Sequence, residues 1–351
     1  MIFHIIPSYL PDIGGAEIQL SRIVEKFEKN NLRFTILTRK SKSEKEEVYL
    51  ENIKRFNRNI LLFNFNVFLY LIKKRKEIKA IHVHSTTSIA YTSLLVGIIL
   101  KKRVLIKITR IGKGSQVDFI SRNKIKKLLL RFLLEKCNYT FINLTNESKL
   151  FLEEKIGVVK SVIIPNGIEV RNTINQKESS EYIKYIFTSR LIRRKKVYET
   201  VLSLIHNSDT KKIKILVCGG GESTEENKIR DLEEKYPDIV KFTGELTQKE
   251  VLNHLETSDF FVQNSFNEGL SKSFLESLRC NLIPIVGPSR FYYDLQKSYH
   301  IPIFFDSFLQ YSDNEKKELL KRHEKLPMKI LKENFDIELT VKKLKNEYQS
   351  T

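Results

Sequence analysis

Two glutamates, Glu268 and Glu276, stand eight positions apart in the stretch NEGLSKSFLES (267–277). An apolar run, DFFVQNS (259–265), precedes it and reads as a strand. A helix is then expected from about Ser271, with Ser271 and Ser273 as candidate caps. That helix carries Glu276 on its flank, about two turns on from Glu268, and leaves Glu268 at its mouth. The two are therefore not expected to act as a carboxylate pair. A flank carboxylate can accept two hydrogen bonds from a ribose diol. A helix mouth, at Gly269, Leu270 and Ser271, offers free N–H groups to a phosphate. Taken alone, the same pattern also describes a capped surface helix.

Other stretches offer parts of the same chemistry. SRLIRRKKV (189–197) gathers Arg190, Arg193, Arg194, Lys195 and Lys196 at a strand end. A guanidinium and an ammonium there could clamp a diphosphate, each charge-assisted bond contributing ~1.5–3 kcal/mol. A solvated basic loop is the alternative. CGGGES (218–223) lacks the lysine and serine of a Walker loop and reads as a tight strand-to-helix turn. Gly14 and Gly15 open onto a helix, where a backbone can approach an anion or simply turn. No G-x-G-x-x-G is present, which argues against a dinucleotide fold of the nicotinamide type. His82 and His84 lie at a further strand end and read first as satisfied structural histidines.

The elements that would position these residues follow a regular rhythm. IFHII, LRFTILT, AIHVH, RVLIKIT, YTFINL and SVIIP read as strands in the first half, with helical patterns between them. Ile18, Ile23 and Phe27 are the expected inward residues of the first helix. The polar, turn-rich run 165–181 breaks the rhythm and reads as a linker. YIKYIFTS, KIKILVCG, IVKFTG, DFFVQNS and LIPIVG restart it, with helices expected at 196–206, 223–235, 247–256 and 271–280. The fold class is α/β, as two open parallel sheets. Ligands of such sheets bind beyond the carboxyl ends of the strands. Domains are expected at 1–168 and 169–335, with a terminal helix at 336–351 packing back on the first.

Bulk composition narrows the class. The 351 residues are 41% hydrophobic and 29% charged, ordinary for a globular chain of two domains. The net charge of +19 points to an anionic partner or to lysine-rich compositional drift. A nucleic-acid role would want a recognition motif or aromatic-studded basic strands, and neither is seen. Cys137, Cys218 and Cys280 lie far apart without metal or redox spacing, so buried thiols in a reducing, cytoplasmic compartment are expected. The start has no basic leader, so no signal peptide is expected. The longest apolar stretches, 59–72 and 89–100, fall short of the ~20 residues of a spanning helix. Residues 101–136 hold twelve Lys or Arg against Asp118 and Glu135. Within them, RNKIKKLLLRFLLEK (122–136) has one face of Ile125, Leu128, Leu129, Phe132 and Leu133 and another of lysines. Such a helix packs on a core or lies on an anionic membrane.

GGAE (14–17), IHVHS (81–85), PNGIE (165–169), SRLIRRKKV, VCGGGE, FTGEL (242–246) and NEGLSKSFLES occur in an order that resembles the family-four retaining glycosyltransferases of GT-B fold. The resemblance implies two Rossmann-like domains facing across a cleft. It implies transfer of a sugar from a nucleotide-sugar, with UDP the commoner base, to a saccharide or polyprenyl-diphosphate-linked acceptor in surface-polysaccharide synthesis. It makes Arg190, Lys195 and Glu268 the catalytic residues, the two basic ones on the donor diphosphate. Glu276 would hold the ribose, and Gly269, Leu270 and Ser271 the sugar and phosphate. Gly244, Glu245 and Leu246 would lie by the base, and Gly14 and Gly15 by the phosphates or acceptor. His84, Arg110 and Gly112 would face the acceptor side. No D-x-D motif occurs, so neither a metal nor another cofactor is expected. The expected place is cytoplasmic, or peripheral on the inner face of the cytoplasmic membrane, with no nucleic-acid partner. Three positions depart from the family pattern: Ser189 for glycine, Asn264 for proline, and Thr109–Arg110 where a histidine is common. RIGKGSQVD (110–118) looks like a glycine-rich variant of that last loop. A non-catalytic sugar binder and a nucleic-acid- or NAD-binding α/β protein are the competing readings.

Overall fold

The computed structural model describes residues 1–12, 14–41, 51–170, 180–265, 270–323 and 328–349. The chain divides into two compact units. Unit 1 is Met1–Gly167 with Asp336–Thr351, and unit 2 is Ile168–Phe335.

Unit 1 runs β1 (Ile2–Ile5), α1 (Gly15–Lys29), β2 (Phe34–Arg39), β3 (Ile53–Phe56), α2 (Ile60–Lys73), β4 (Ala80–Val83), α3 (Ser88–Leu100) and β5 (Arg103–Lys107). It continues through α4 (Gln116–Arg122), α5 (Lys124–Lys136), β6 (Tyr139–Asn143), α6 (Asn146–Ile156) and β7 (Ser161–Ile163). The seven strands are parallel in the order β3-β2-β1-β4-β5-β6-β7. Both sheet faces are covered, which is why the central strands read as unbroken apolar runs rather than alternating ones. On one face, Phe3, Ile81 and Val104 pack with Phe63 of α2, Leu94 of α3, Leu133 of α5 and Leu152 of α6. On the other, Ile36, Ala80 and Leu105 pack with Leu20 and Phe27 of α1. The buried face of α1 is Gln19, Leu20, Ile23, Val24 and Phe27, and the expected Ile18 is only half-buried at its margin.

Unit 2 runs β8 (Ile183–Thr188), α7 (Val197–His206), β9 (Ile213–Cys218), α8 (Ser223–Lys235), β10 (Val240–Gly244), α9 (Gln248–Glu256), β11 (Phe260–Gln263) and α10 (Lys272–Arg279). It ends with β12 (Ile283–Val286), α11 (Arg290–Tyr299), β13 (Phe304–Phe305), α12 (Asp313–Arg322) and α13 (Met328–Phe335). Six parallel strands take the order β10-β9-β8-β11-β12-β13. The last helix of the chain, α14 (Ile337–Gln349), belongs to unit 1 and packs with Val341 and Leu344 beside α1.

Two strands have no counterpart in the sequence reading, β3 and β13. Both are sheet edges. The IKRF of β3 carries two charges and stays half-exposed, because an edge strand needs no continuous apolar run. The three cysteines are free and buried. Burial pushes the Cys137 thiol up to about 12 and Cys218 to about 11.

Candidate functional site

In unit 2, the carboxyl ends of β8, β9 and β10 are tied together by backbone. The Ser189 N–H donates to the Cys218 carbonyl at 3.2 Å, and Leu191 N–H to Gly220 at 2.9 Å. Glu222 N–H returns to the Leu191 carbonyl at 2.7 Å, and Gly219 N–H donates to Gly244 at 2.7 Å. Such close approach needs residues without a side chain. A Cβ on Gly221 would lie 2.0 Å from the Leu191 oxygen, and one on Gly219 2.2 Å from the Ser189 oxygen, with φ at +128°. The triple glycine thus serves the loop that follows β8. That loop carries an exposed Arg190, forms one 3-10 turn at Arg193–Lys195, and delivers a half-buried Lys195 to the start of α7. Gly244, at φ +68°, turns β10 toward an exposed Glu245 and a half-buried Leu246.

A second group forms where β11 meets α10. Ser271 caps α10, its Oγ accepting from the Phe274 N–H at 3.4 Å, while its hydroxyl donates to Gln263 Oε1 at 2.6 Å. Gln263 ends β11 and donates through Nε2 to the Tyr292 hydroxyl at 3.2 Å. Leu270 is buried beside the cap. Glu276 lies in the second turn of α10 and is 1% exposed. Gln248, the first residue of α9, donates from Nε2 to Glu276 Oε1 at 3.0 Å. The Lys272 ammonium is 3.5 Å from the same oxygen and also bonds Gln248 Oε1. A buried carboxylate is tolerable only when charge and hydrogen bonds answer it, and Lys272 and Gln248 supply both. Glu268 and Gly269 lie outside the described residues.

Gln248 and Lys272 are partners of Glu276 that the sequence reading missed. Lys272 could have been found, since it stands four residues before Glu276 on one helix face. Gln248 carried no local signal, because only the packing of α9 on α10 brings it there.

In unit 1, Gly14 is the extended residue before α1, and a Cβ on it would meet only the end of the Glu17 side chain. A Cβ on Gly15 would meet nothing within 4 Å. Neither glycine is demanded by packing, and the surface over Gly15 is open. The 110–118 loop is built on its own bonds. Gly112 and Gly114 take φ of +80° and +75°, and the exposed Arg110 donates to the Gly114 carbonyl at 3.1 Å. Gly114 N–H donates to Asp118 Oδ2 at 2.8 Å, and Asp118 pairs with Arg122 at 3.1 Å. The backbone bond from Gly114 is the largest influence holding the Asp118 carboxyl below its usual range.

His84, expected on the acceptor side, is buried in a cluster with His4 and His82. His84 Nε2 is 3.0 Å from His4 Nδ1, and His82 Nδ1 is 2.6 Å from the Tyr348 hydroxyl on α14. Burial, helped by the Lys107 charge, holds His4 down at about 3 and depresses the other two. Among the described residues these three rings are the group whose ligand atoms come close enough to consider for a metal, within 4.8 Å. The donor set fits one poorly. Lys107 brings a positive charge beside them, and His82 and His84 stack at 4.1 Å rather than converging. The cluster is a set of neutral, hydrogen-bonded core rings.

Residues 170–330 match the family described as glycosyl transferases group 1. No curated protein matches the chain. Among solved structures, HepE of Anabaena in complex with UDP superposes with a TM-score of 0.78 at 14% identity, over 100% of both chains. Sucrose-phosphate synthase of Thermosynechococcus elongatus gives 0.71 at 16%, over 99% of this chain and 98% of that one. WaaG, a glycosyltransferase involved in lipopolysaccharide biosynthesis, gives 0.70 at 10%, over 100% of both. The fold is that of the GT-B glycosyltransferases: two parallel-sheet α/β units.

Proposed function

We propose that the protein is a retaining, metal-independent glycosyltransferase that takes its sugar from a UDP-sugar. The observation that carries this reading is Glu276, a carboxylate buried in α10 and held by Gln248 and Lys272. Such a fixed acceptor, in the second turn of the helix that Ser271 caps, suits a ribose diol. The match of residues 170–330 to group 1 glycosyl transferases supports it, as does the likeness to structures solved with UDP and UDP-glucose.

In this reading Glu276 binds the ribose hydroxyls, and Gly244, Glu245 and Leu246 lie by the base. Arg190 and Lys195 take the diphosphate. Departure of that diphosphate is the costly event, and fixed positive groups lower the barrier where the negative charge develops. No protein nucleophile is required. Glu268 and the Gly269–Ser271 backbone face the sugar, and the Gly14–Gly15 turn is a surface for ligand approach. The acceptor is a saccharide, free or carried on a polyprenyl diphosphate, used in surface-polysaccharide synthesis at the inner face of the cytoplasmic membrane.

Thermal unfolding against UDP, GDP, ADP and NAD, each without divalent cations, tests the reading. A ligand at a hundred times its Kd adds ~2.7 kcal/mol to the folded state. A shift with UDP is expected. A shift with NAD alone would overturn the reading in favour of an oxidoreductase.

A further inference from the structure

We infer that one face of unit 1 docks on an anionic lipid surface, through the outer sides of α2, α3 and α5. The helices are neighbours on the same sheet face. Asn64 of α2 donates to Ser88 of α3 at 2.8 Å, and the Tyr91 hydroxyl of α3 donates to the Lys126 carbonyl of α5 at 3.2 Å.

A helix with one side on a core and the other in water is normally polar outside. These three also expose large apolar side chains there. No charge occurs from Ile60 to Ile72 in α2, nor anywhere in α3. Phe63, Val67 and Leu71 of α2 point into the core, yet Leu61, four residues before the exposed Phe65, is 72% exposed. On α3, Ile99 is exposed. On α5 the residues that pack inward are Leu130, Leu133 and Leu134. Of the apolar face that the sequence marks on α5, Leu133 turns inward and the rest points outward: Ile125 is 80% and Leu128 71% exposed, with Leu129 and Phe132 exposed beside them. The outer sides of three neighbouring helices thus carry exposed apolar side chains, left uncovered by the described residues.

The charge around the patch names the occupant. Lys124, Lys126 and Arg131 are exposed on α5, and Lys101 follows α3. Against them, Asp118 is paired with Arg122 and Glu77 with Lys74, leaving Glu135 as the acidic neighbour on α5. A second copy docked through the same patch would set this basic rim against itself. An anionic bilayer complements both parts: the apolar stripes enter the acyl boundary while the lysines meet the headgroups. The inference does not rest on the sugar-transfer reading. Vesicle binding reads unit 1, and nucleotide binding reads unit 2.

The test is co-sedimentation of the full chain with phosphatidylglycerol-containing vesicles and with phosphatidylcholine vesicles, at low and high salt. Binding to the anionic vesicles, weakened by salt, is expected. A Leu128→Gln/Phe132→Gln variant should bind at least ~tenfold more weakly, and Lys124→Glu/Lys127→Glu likewise. All four side chains lie at the surface or its margin, so the melting temperature should hold, and UDP affinity should not change. Absence of binding, equal binding to both lipids, or variants that bind like the parent would overturn the inference. A dimer without vesicle binding, dissolved by the apolar variant, would assign the face to self-association instead.

Discussion

Gln248 opens α9 and Glu276 sits in the second turn of α10, and the amide of the first donates to the carboxylate of the second at 3.0 Å. Lys272, one turn before Glu276, touches both. The three side chains hold one oxygen of a buried acid in a fixed direction. Removing Gln248 should therefore change how Glu276 is aimed without removing it. Gln248→Ala is expected to weaken UDP binding several-fold, by the ~1 kcal/mol of one hydrogen bond, and less than loss of Glu276 itself. Titration calorimetry on the two variants checks the order.

Lys195 is half-buried and lies at the end of the 3-10 turn before α7. If it stabilises the departing diphosphate, Lys195→Ala should lower kcat by ~10²-fold or more while leaving the melting temperature close to the parent's. Single-turnover kinetics with a UDP-sugar would separate this from a loss of binding. An unchanged kcat would remove Lys195 from the mechanism.

The glycine run packs against the basic loop that follows β8. Gly221→Ala places a methyl 2.0 Å from the Leu191 carbonyl oxygen, which must move. The expected cost is ~1–3 kcal/mol of stability, typical of overpacking, together with weaker UDP binding as the Arg190 loop is displaced. Urea unfolding and calorimetry on one preparation read both. By contrast, Gly15→Ala meets open space and should leave stability within ~0.5 kcal/mol, so a raised KM there would report ligand contact.

The buried histidines make stability depend on pH. His4 is held at about 3 in the folded chain against 6.5 when free, and His82 and His84 are depressed in the same direction. Well above pH 6.5 these rings are neutral whether folded or not, and they contribute no slope. Below 6.5 the unfolded chain takes up protons that the folded one refuses, so stability falls as pH falls. The limiting slope is ~1.4 kcal/mol per pH unit for each ring. Denaturant unfolding across this range should show the loss. A His4→Asn/His82→Asn variant, whatever its stability at neutral pH, should show a shallower slope.

Much of the fold was legible because parallel strands covered on both faces leave dense apolar runs, and Gly or Ser marks their ends. β8 to β12 and α7 to α10 each lie within the stretches where the pattern puts them. The edges were not legible. IKRF and the two residues of β13 bury too little to leave a pattern. Nor was the direction of the α5 stripe. Periodicity puts Ile125, Leu128, Leu129, Phe132 and Leu133 on one face, yet Leu133 turns inward with Leu130 and Leu134 while the other four stay exposed, and only packing shows that split. The place of Glu276 inside α10 was visible through its helix signal. Its partner Gln248 was not, since the two are 28 residues apart. His82 and His84 were readable as structural histidines, but the partner that buries them was not, since Tyr348 comes from a helix more than 250 residues away in sequence.

The central claim is that Glu276 holds a uridine diphosphate without help from a metal ion. Calorimetric titration of UDP into the full chain and into Glu276→Gln, both in a chelator, tests it most directly. Glutamine keeps the size of the side chain and the packing of α10, so the comparison isolates the carboxylate. The account predicts saturable UDP binding by the parent and a loss of ~tenfold or more in the variant, equivalent to ~1.4 kcal/mol. Equal affinity in the two proteins, or no binding by the parent, would contradict it.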